Sequence, residues 1–150
     1  MSRLALVTAL AFCAACGGGE KPAEAPAPAP PAPAPINLAD VSGEWTVRAM
    51  AEGTDSTLVT YTLTATADTT GWTITLPNRP PMPMQIAASG DSVVGTVAPY
   101  ESVLRKGVTV STHSVLRLLD GKLVGTTVAR YSTTGADSVA NLRTEGVRKQ

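Results

Sequence analysis

Residues 59–67 read Val59-Thr60-Tyr61-Thr62-Leu63-Thr64-Ala65-Thr66-Ala67. Apolar residues hold every odd position and threonine every even one. Successive side chains of a strand point to opposite faces, so a period of two makes one dry face and one wet face. Threonine suits the wet face because its branched Cβ fits a pleated sheet and its hydroxyl meets water. This is the pattern of an antiparallel sheet solvated on one side.

The same period extends in both directions. Upstream, Trp45, Val47 and Ala49 alternate with Thr46, Arg48 and Met50; downstream, Trp72, Ile74 and Leu76 alternate with Thr73 and Thr75. Turn residues separate the runs: Glu52-Gly53-Thr54-Asp55, Asp68-Thr69-Thr70-Gly71, Ser89-Gly90-Asp91, Asp120-Gly121 and Thr134-Gly135-Ala136-Asp137. Asp-Gly between apolar runs is the strongest short hairpin signal. Eight strands follow, at about 44–51, 56–67, 71–76, 83–88, 91–98, 108–119, 122–131 and 137–148. No helical period of useful length is present, although Tyr100 to Arg105 is read as one turn of helix. Short links make neighbours pair in sequence order. The expected fold is therefore all-β: an eight-stranded antiparallel up-and-down meander that closes into a barrel, with an open two-layer sandwich as the alternative. Val94-Gly95-Thr96 and Val124-Gly125-Thr126 place a glycine inside two strands, where it marks a bend or a close backbone approach.

The chain has 150 residues and a formal net charge of zero, which argues against a nucleic-acid partner. Its two cysteines, Cys13 and Cys16, both precede the strands, so no disulfide or cysteine metal site is expected in the folded domain. Met1-Ser2-Arg3 followed by the short apolar run Leu4 to Phe12 has the form of a secretory signal peptide. From Glu20 to Pro35 the chain contains seven prolines and little that can pack. Alternating Ala-Pro favours polyproline II, and twenty such residues reach on the order of 60 Å.

Ala14-Ala15-Cys16 followed by Gly17-Gly18-Gly19 resembles the lipobox of bacterial lipoproteins, with Cys13 where that family usually has an aliphatic residue. The resemblance implies that Cys16 is acylated and becomes the mature N-terminus. An ordinary secretory signal is the alternative. The implied organisation is a signal peptide at 1–15, a lipidated cysteine and Gly/Ala/Pro-rich linker at 16–40, and a barrel at 41–150. Gly17, where retained lipoproteins carry aspartate, places the expectation at the outer membrane of the cell envelope.

Ser42-Gly43-Glu44-Trp45 resembles the Gly-x-Trp opening of the lipocalin-like, or calycin, barrels. In that group an arginine near the end of the chain packs across the first-strand tryptophan. Arg148 shares a face with Ala140, Leu142, Thr144 and Gly146, and takes that place here; Arg143 lies on the opposite face. Trp45 and Arg148 are thus expected to close the barrel as a structural pair rather than to touch a ligand.

Small barrels are either filled by their own side chains or hold one small ligand. The inward residues are read as Trp45, Val47, Tyr61, Leu63, Trp72, Ile74, Met84 and Ile86, and of these Tyr61, Leu63, Trp72, Ile74, Met84 and Ile86 are expected to line such a pocket. The segment Pro77 to Met84 is read as a stiff connection or a protein-contact loop, and Arg105-Lys106-Gly107 as a solvated basic turn. His113 is the single histidine, without further ligands for a metal or a nucleophile elbow for catalysis. Asp55, Asp68, Asp91, Asp120 and Asp137 sit at turns, where aspartate serves local hydrogen bonding. No enzyme, metal or cofactor is expected. The expected partners are the membrane, through the lipid, and either a small, largely apolar ligand or an envelope protein.

Overall fold

A computed structural model describes residues 33–150. The expected signal peptide, the Cys16 expected to be acylated and most of the linker lie outside these residues. A single helical turn, α1 (Leu38–Val41), precedes eight strands: β1 (Gly43–Ala51), β2 (Thr57–Ala65), β3 (Thr73–Thr75), β4 (Met82–Ser89), β5 (Ser92–Glu101), β6 (Thr109–Leu119), β7 (Lys122–Tyr131) and β8 (Val139–Arg148). Neighbours pair antiparallel in chain order, and β1 also pairs with β8, which closes the barrel. Closure leaves no open sheet edge at the ends of the meander and excludes the sandwich.

The alternating stretch at 59–67 behaves as its period requires. Leu63 and Ala65 are buried, Tyr61 is partly buried, and Thr60, Thr62 and Thr64 lie opposite Arg48, Thr46 and Glu44 of β1. Asp120 and Gly121 both have positive φ, the geometry of the tight two-residue hairpin that joins Leu119 to Lys122. Gly125 is a close approach: a Cβ there would meet the Val115 carbonyl oxygen at 1.9 Å.

Two irregularities depart from the plain period. The register of β1 and β2 shifts between Ala49 and Met50, which passes from Ala49↔Val59 to Met50↔Thr57. Met50, expected on the polar face, is buried, and Arg143 of β8 donates to its sulfur at 3.4 Å. In β5 a bulge lies between Val97 and Tyr100, so that Ala98 and Pro99 oppose one residue of β6. A bulge accommodates proline, which cannot donate to the ladder. The strand therefore continues to Glu101, and the helical turn expected at Tyr100–Arg105 is corrected: Tyr100 and Glu101 are strand, and Ser102–Gly107 is a loop.

The core has two parts. The lower one gathers Val41, Trp45, Val47, Leu63, Trp72, Val93, Leu116 and Leu123, and the upper one Ala49, Val110, Ala129, Tyr131 and Leu142; Tyr61 and Tyr100 pack against both. Ile36, Leu38 and Val41 lie against the lower core, so packing begins upstream of the first strand. Ile36 is tied down by its N–H, which donates to the Gly90 carbonyl at 2.8 Å. Among the described residues no helix is long and apolar enough to cross a membrane.

Candidate functional site

The two ends of the barrel differ. At the lower end the N-terminal segment covers Trp45, whose indole Nε1–H donates to the Val41 carbonyl at 2.8 Å. The Arg148 guanidinium stacks on the Trp45 ring, 4.3 Å from its centroid. Its Nη2 donates to the Asp40 carbonyl at 2.8 Å and its Nη1 to the Ser42 carbonyl. Arg148 thus clamps the entering chain onto the tryptophan. Gly43 fits this clamp for two reasons: its φ is +122°, and a Cβ would lie 2.7 Å from Arg148 Nη1. Trp72 has a parallel arrangement, its Nε1–H donating to the Asp68 carbonyl at 2.7 Å. The Asp68 carboxylate accepts from the Thr70 N–H and hydroxyl, both at 2.7 Å, and these bonds hold its pKa below the usual carboxylate value.

The upper end carries a cavity of about 50 Å³. Roughly 10–15 Å³ holds one water, so there is room for a few waters or a small group. Of the residues expected to line a pocket, Tyr61, Ile74 and Met84 do so. Leu63 and Trp72 instead pack into the lower core beside Trp45, and Ile86 is partly buried against that core. A residue can point inward and still belong to the filled half of a barrel; alternation reports the face and not the height. Met84 is buried inside and so is removed from the contact loop expected at Pro77–Met84. Met82 and Pro83 are already strand.

The remaining lining comes from residues that the sequence left unassigned: Tyr100, Tyr131, Ser114 and Thr127 with small apolar neighbours such as Ala49 and Ala129. Tyr100 turns inward because of the β5 bulge. Tyr131 continues the inward parity of Leu123, Thr127 and Ala129 along β7 and was open to detection. Burial, then the proximity of Tyr100, pushes the Tyr61 phenol well above its ordinary pKa. Burial also raises Tyr100, against a hydrogen bond with Thr112 that lowers it. Deeper in the wall, Ser114 Oγ and Thr127 Oγ1 are 2.8 Å apart, as are Thr127 Oγ1 and Thr144 Oγ1, and all three residues are buried.

The β5–β6 loop forms part of the lining through Ser102, Val103 and Leu104. Ser102 is buried, and its hydroxyl accepts from the Leu104 and Arg105 N–H groups at 3.0 Å, fixing a tight turn. Val103 and Leu104 keep 39% and 41% of their surface in solvent. Arg105 leaves this loop to stack over Tyr131, 4.1 Å from the ring centroid, and donates to the Asp137 carbonyl at 2.6 Å. Arg79, from the β3–β4 connection, donates to the Glu101 carbonyl. His113 lies on the outer face of β6, with its Nδ1 3.3 Å from Thr96 Oγ1. Among the described residues no three His, Cys, Asp or Glu side chains converge as a metal site.

No known protein family, curated protein or solved structure matches the chain.

Proposed function

We propose that this is an acylated envelope protein whose barrel binds one small, largely apolar ligand at its upper end. The support for anchoring is the resemblance of Ala14-Ala15-Cys16 to a lipobox and the Ala-Pro spacer behind it. The support for binding is a single observation: the cavity beneath the β5–β6 loop, lined mainly by apolar and aromatic side chains and flanked by the exposed Val103 and Leu104. Apolar pockets with a few placed polar groups are the usual form of a small-molecule site. The tethered barrel on this reading is a carrier or receptor, not an enzyme.

Native mass spectrometry of the full chain, purified under mild conditions, tests it. A bound small molecule is expected, and it should be lost from an Ala129→Leu variant, which fills the cavity. A chain that carries and accepts nothing, before and after that substitution, refutes the reading.

The size of the cavity favours a second reading. Ligand pockets commonly measure about 300–1,000 Å³, and this one is far smaller. A filled barrel that contacts another envelope protein through its loops accounts for that. Cross-linking from the β3–β4 connection or the β5–β6 loop to one defined partner, with no ligand retained, would establish it.

A further inference from the structure

The cavity lining contains tyrosine, serine and threonine but no Asp, Glu, Lys, Arg or His. An ion buried there would have no countercharge, and a buried unpaired charge is very costly. The two arginines nearest the rim, Arg79 and Arg105, already donate to backbone carbonyls of Glu101 and Asp137. The lining is therefore suited to an uncharged molecule.

The hydroxyl row adds a requirement. Ser114, Thr127 and Thr144 own three hydroxyl protons, and the row between them contains two hydrogen bonds. Each hydroxyl donates once but can accept twice, so one proton finds no partner within the row: that of Ser114 or Thr144 where the bonds run in one direction, or that of Thr127 where it accepts from both. Thr144 is fully buried and lies outside the cavity lining; Ser114 and Thr127 are both on that lining. If the protons run Thr144 to Thr127 to Ser114, the last O–H points toward the cavity and needs an acceptor. Without one, a buried donor is left unmade, at a cost comparable to a lost hydrogen bond.

We propose that the cavity selects an uncharged ligand whose apolar frame carries one acceptor oxygen, a ketone, ester or ether, and that Ser114 Oγ donates to that oxygen. With it bound, all three protons of the row are used in one direction, and aligned hydroxyls strengthen one another. This inference rests on the binding reading above and narrows it to one ligand class.

The test is an NMR titration of the full chain, carrying Cys16→Ser to prevent acylation, with three matched probes small enough for the cavity: acetone, isobutane and acetate. Acetone should bind most tightly and the carboxylate least. Ser114→Ala should lower the ketone affinity about fivefold and leave isobutane unchanged. The comparison within the unsubstituted barrel stands even if that variant folds poorly. Equal binding of ketone and hydrocarbon, unaffected by Ser114→Ala, overturns the ligand class and leaves the pocket reading intact. Tightest binding by the carboxylate, weakened by Arg105→Gln, overturns it in favour of an acid held at the rim. Failure of all three probes to bind overturns both the class and the pocket.

Discussion

Arg148 shows how much one terminal side chain can organise. It is largely exposed, yet it joins the last strand, the tryptophan of the first strand and the turn that enters the barrel. Arg148→Met keeps an apolar stem over the ring but loses both carbonyl contacts, and should destabilise the fold by about 1–3 kcal/mol. Gly43→Ala should cost about as much, because it combines a positive φ with displacement of the same guanidinium. Equilibrium denaturation followed by tryptophan fluorescence checks both, and near-additivity of the pair would contradict their coupling. Titrations of single residues set the pH range. Tyr61 and Tyr100 hold their protons more tightly when folded. Their contribution is thus complete below about pH 10, the ordinary tyrosine value, and is lost as pH rises beyond it. Near-ultraviolet tyrosinate absorbance should show Tyr61 and Tyr100 ionising late, together with unfolding. Asp68 has the opposite sign: its carboxyl is held low, so its contribution is present above about pH 4 and is lost as pH falls. Asp68→Asn should flatten the acid limb of a stability–pH profile.

At the level of elements, the segment before the first strand has more effect than its single turn suggests. Val41 is fully buried and accepts the indole hydrogen bond of Trp45. A chain beginning at Gly43 loses the burial of Val41, worth about 1.5–3 kcal/mol, and leaves a buried indole N–H unpaired, at about 1–3 kcal/mol more. Chemical denaturation should show that loss relative to a chain beginning at Pro33. This element was poorly legible in the sequence because Asn37-Leu38-Ala39-Asp40-Val41 is too short to show a helical period. Only the tertiary contact with Trp45 gives it purpose. The strands were legible because each alternates long enough for period two to stand out. Tyr100 was not, because two residues before it share one partner and reverse the parity on which the reading depends. The Ser114–Thr127–Thr144 row was hidden for another reason. In a threonine-rich sheet, buried hydroxyls resemble the many that face water, and only the cross-strand register Ser114↔Thr127 brings the first two together.

Across the whole molecule the wall is uneven. β6 and β7 pair continuously from Val110↔Tyr131 to Leu119↔Lys122, whereas β3 pairs three residues with β2 and two with β4. Amide exchange should be slowest in β6 and β7 and fastest at β3 and in Thr57–Thr60, which β3 does not reach. Uniform protection around the ring would contradict this. The aromatic and hydroxyl groups of the candidate site come largely from the well-paired side, while Tyr61, Ile74 and Met84 come from the thin one.

The pairing of Trp45 with Arg148 brings the beginning and the end of the barrel side by side. Lys149 N–H donates to the Glu44 carbonyl at 2.8 Å, so the ladder runs on past the final strand. Topologically the eight staves form a ring with an arbitrary starting point. A peptide bridge from Gln150 to Ile36, with new termini opened at the exposed Asp120-Gly121 turn, would preserve every rung of that ring and the plug at its base.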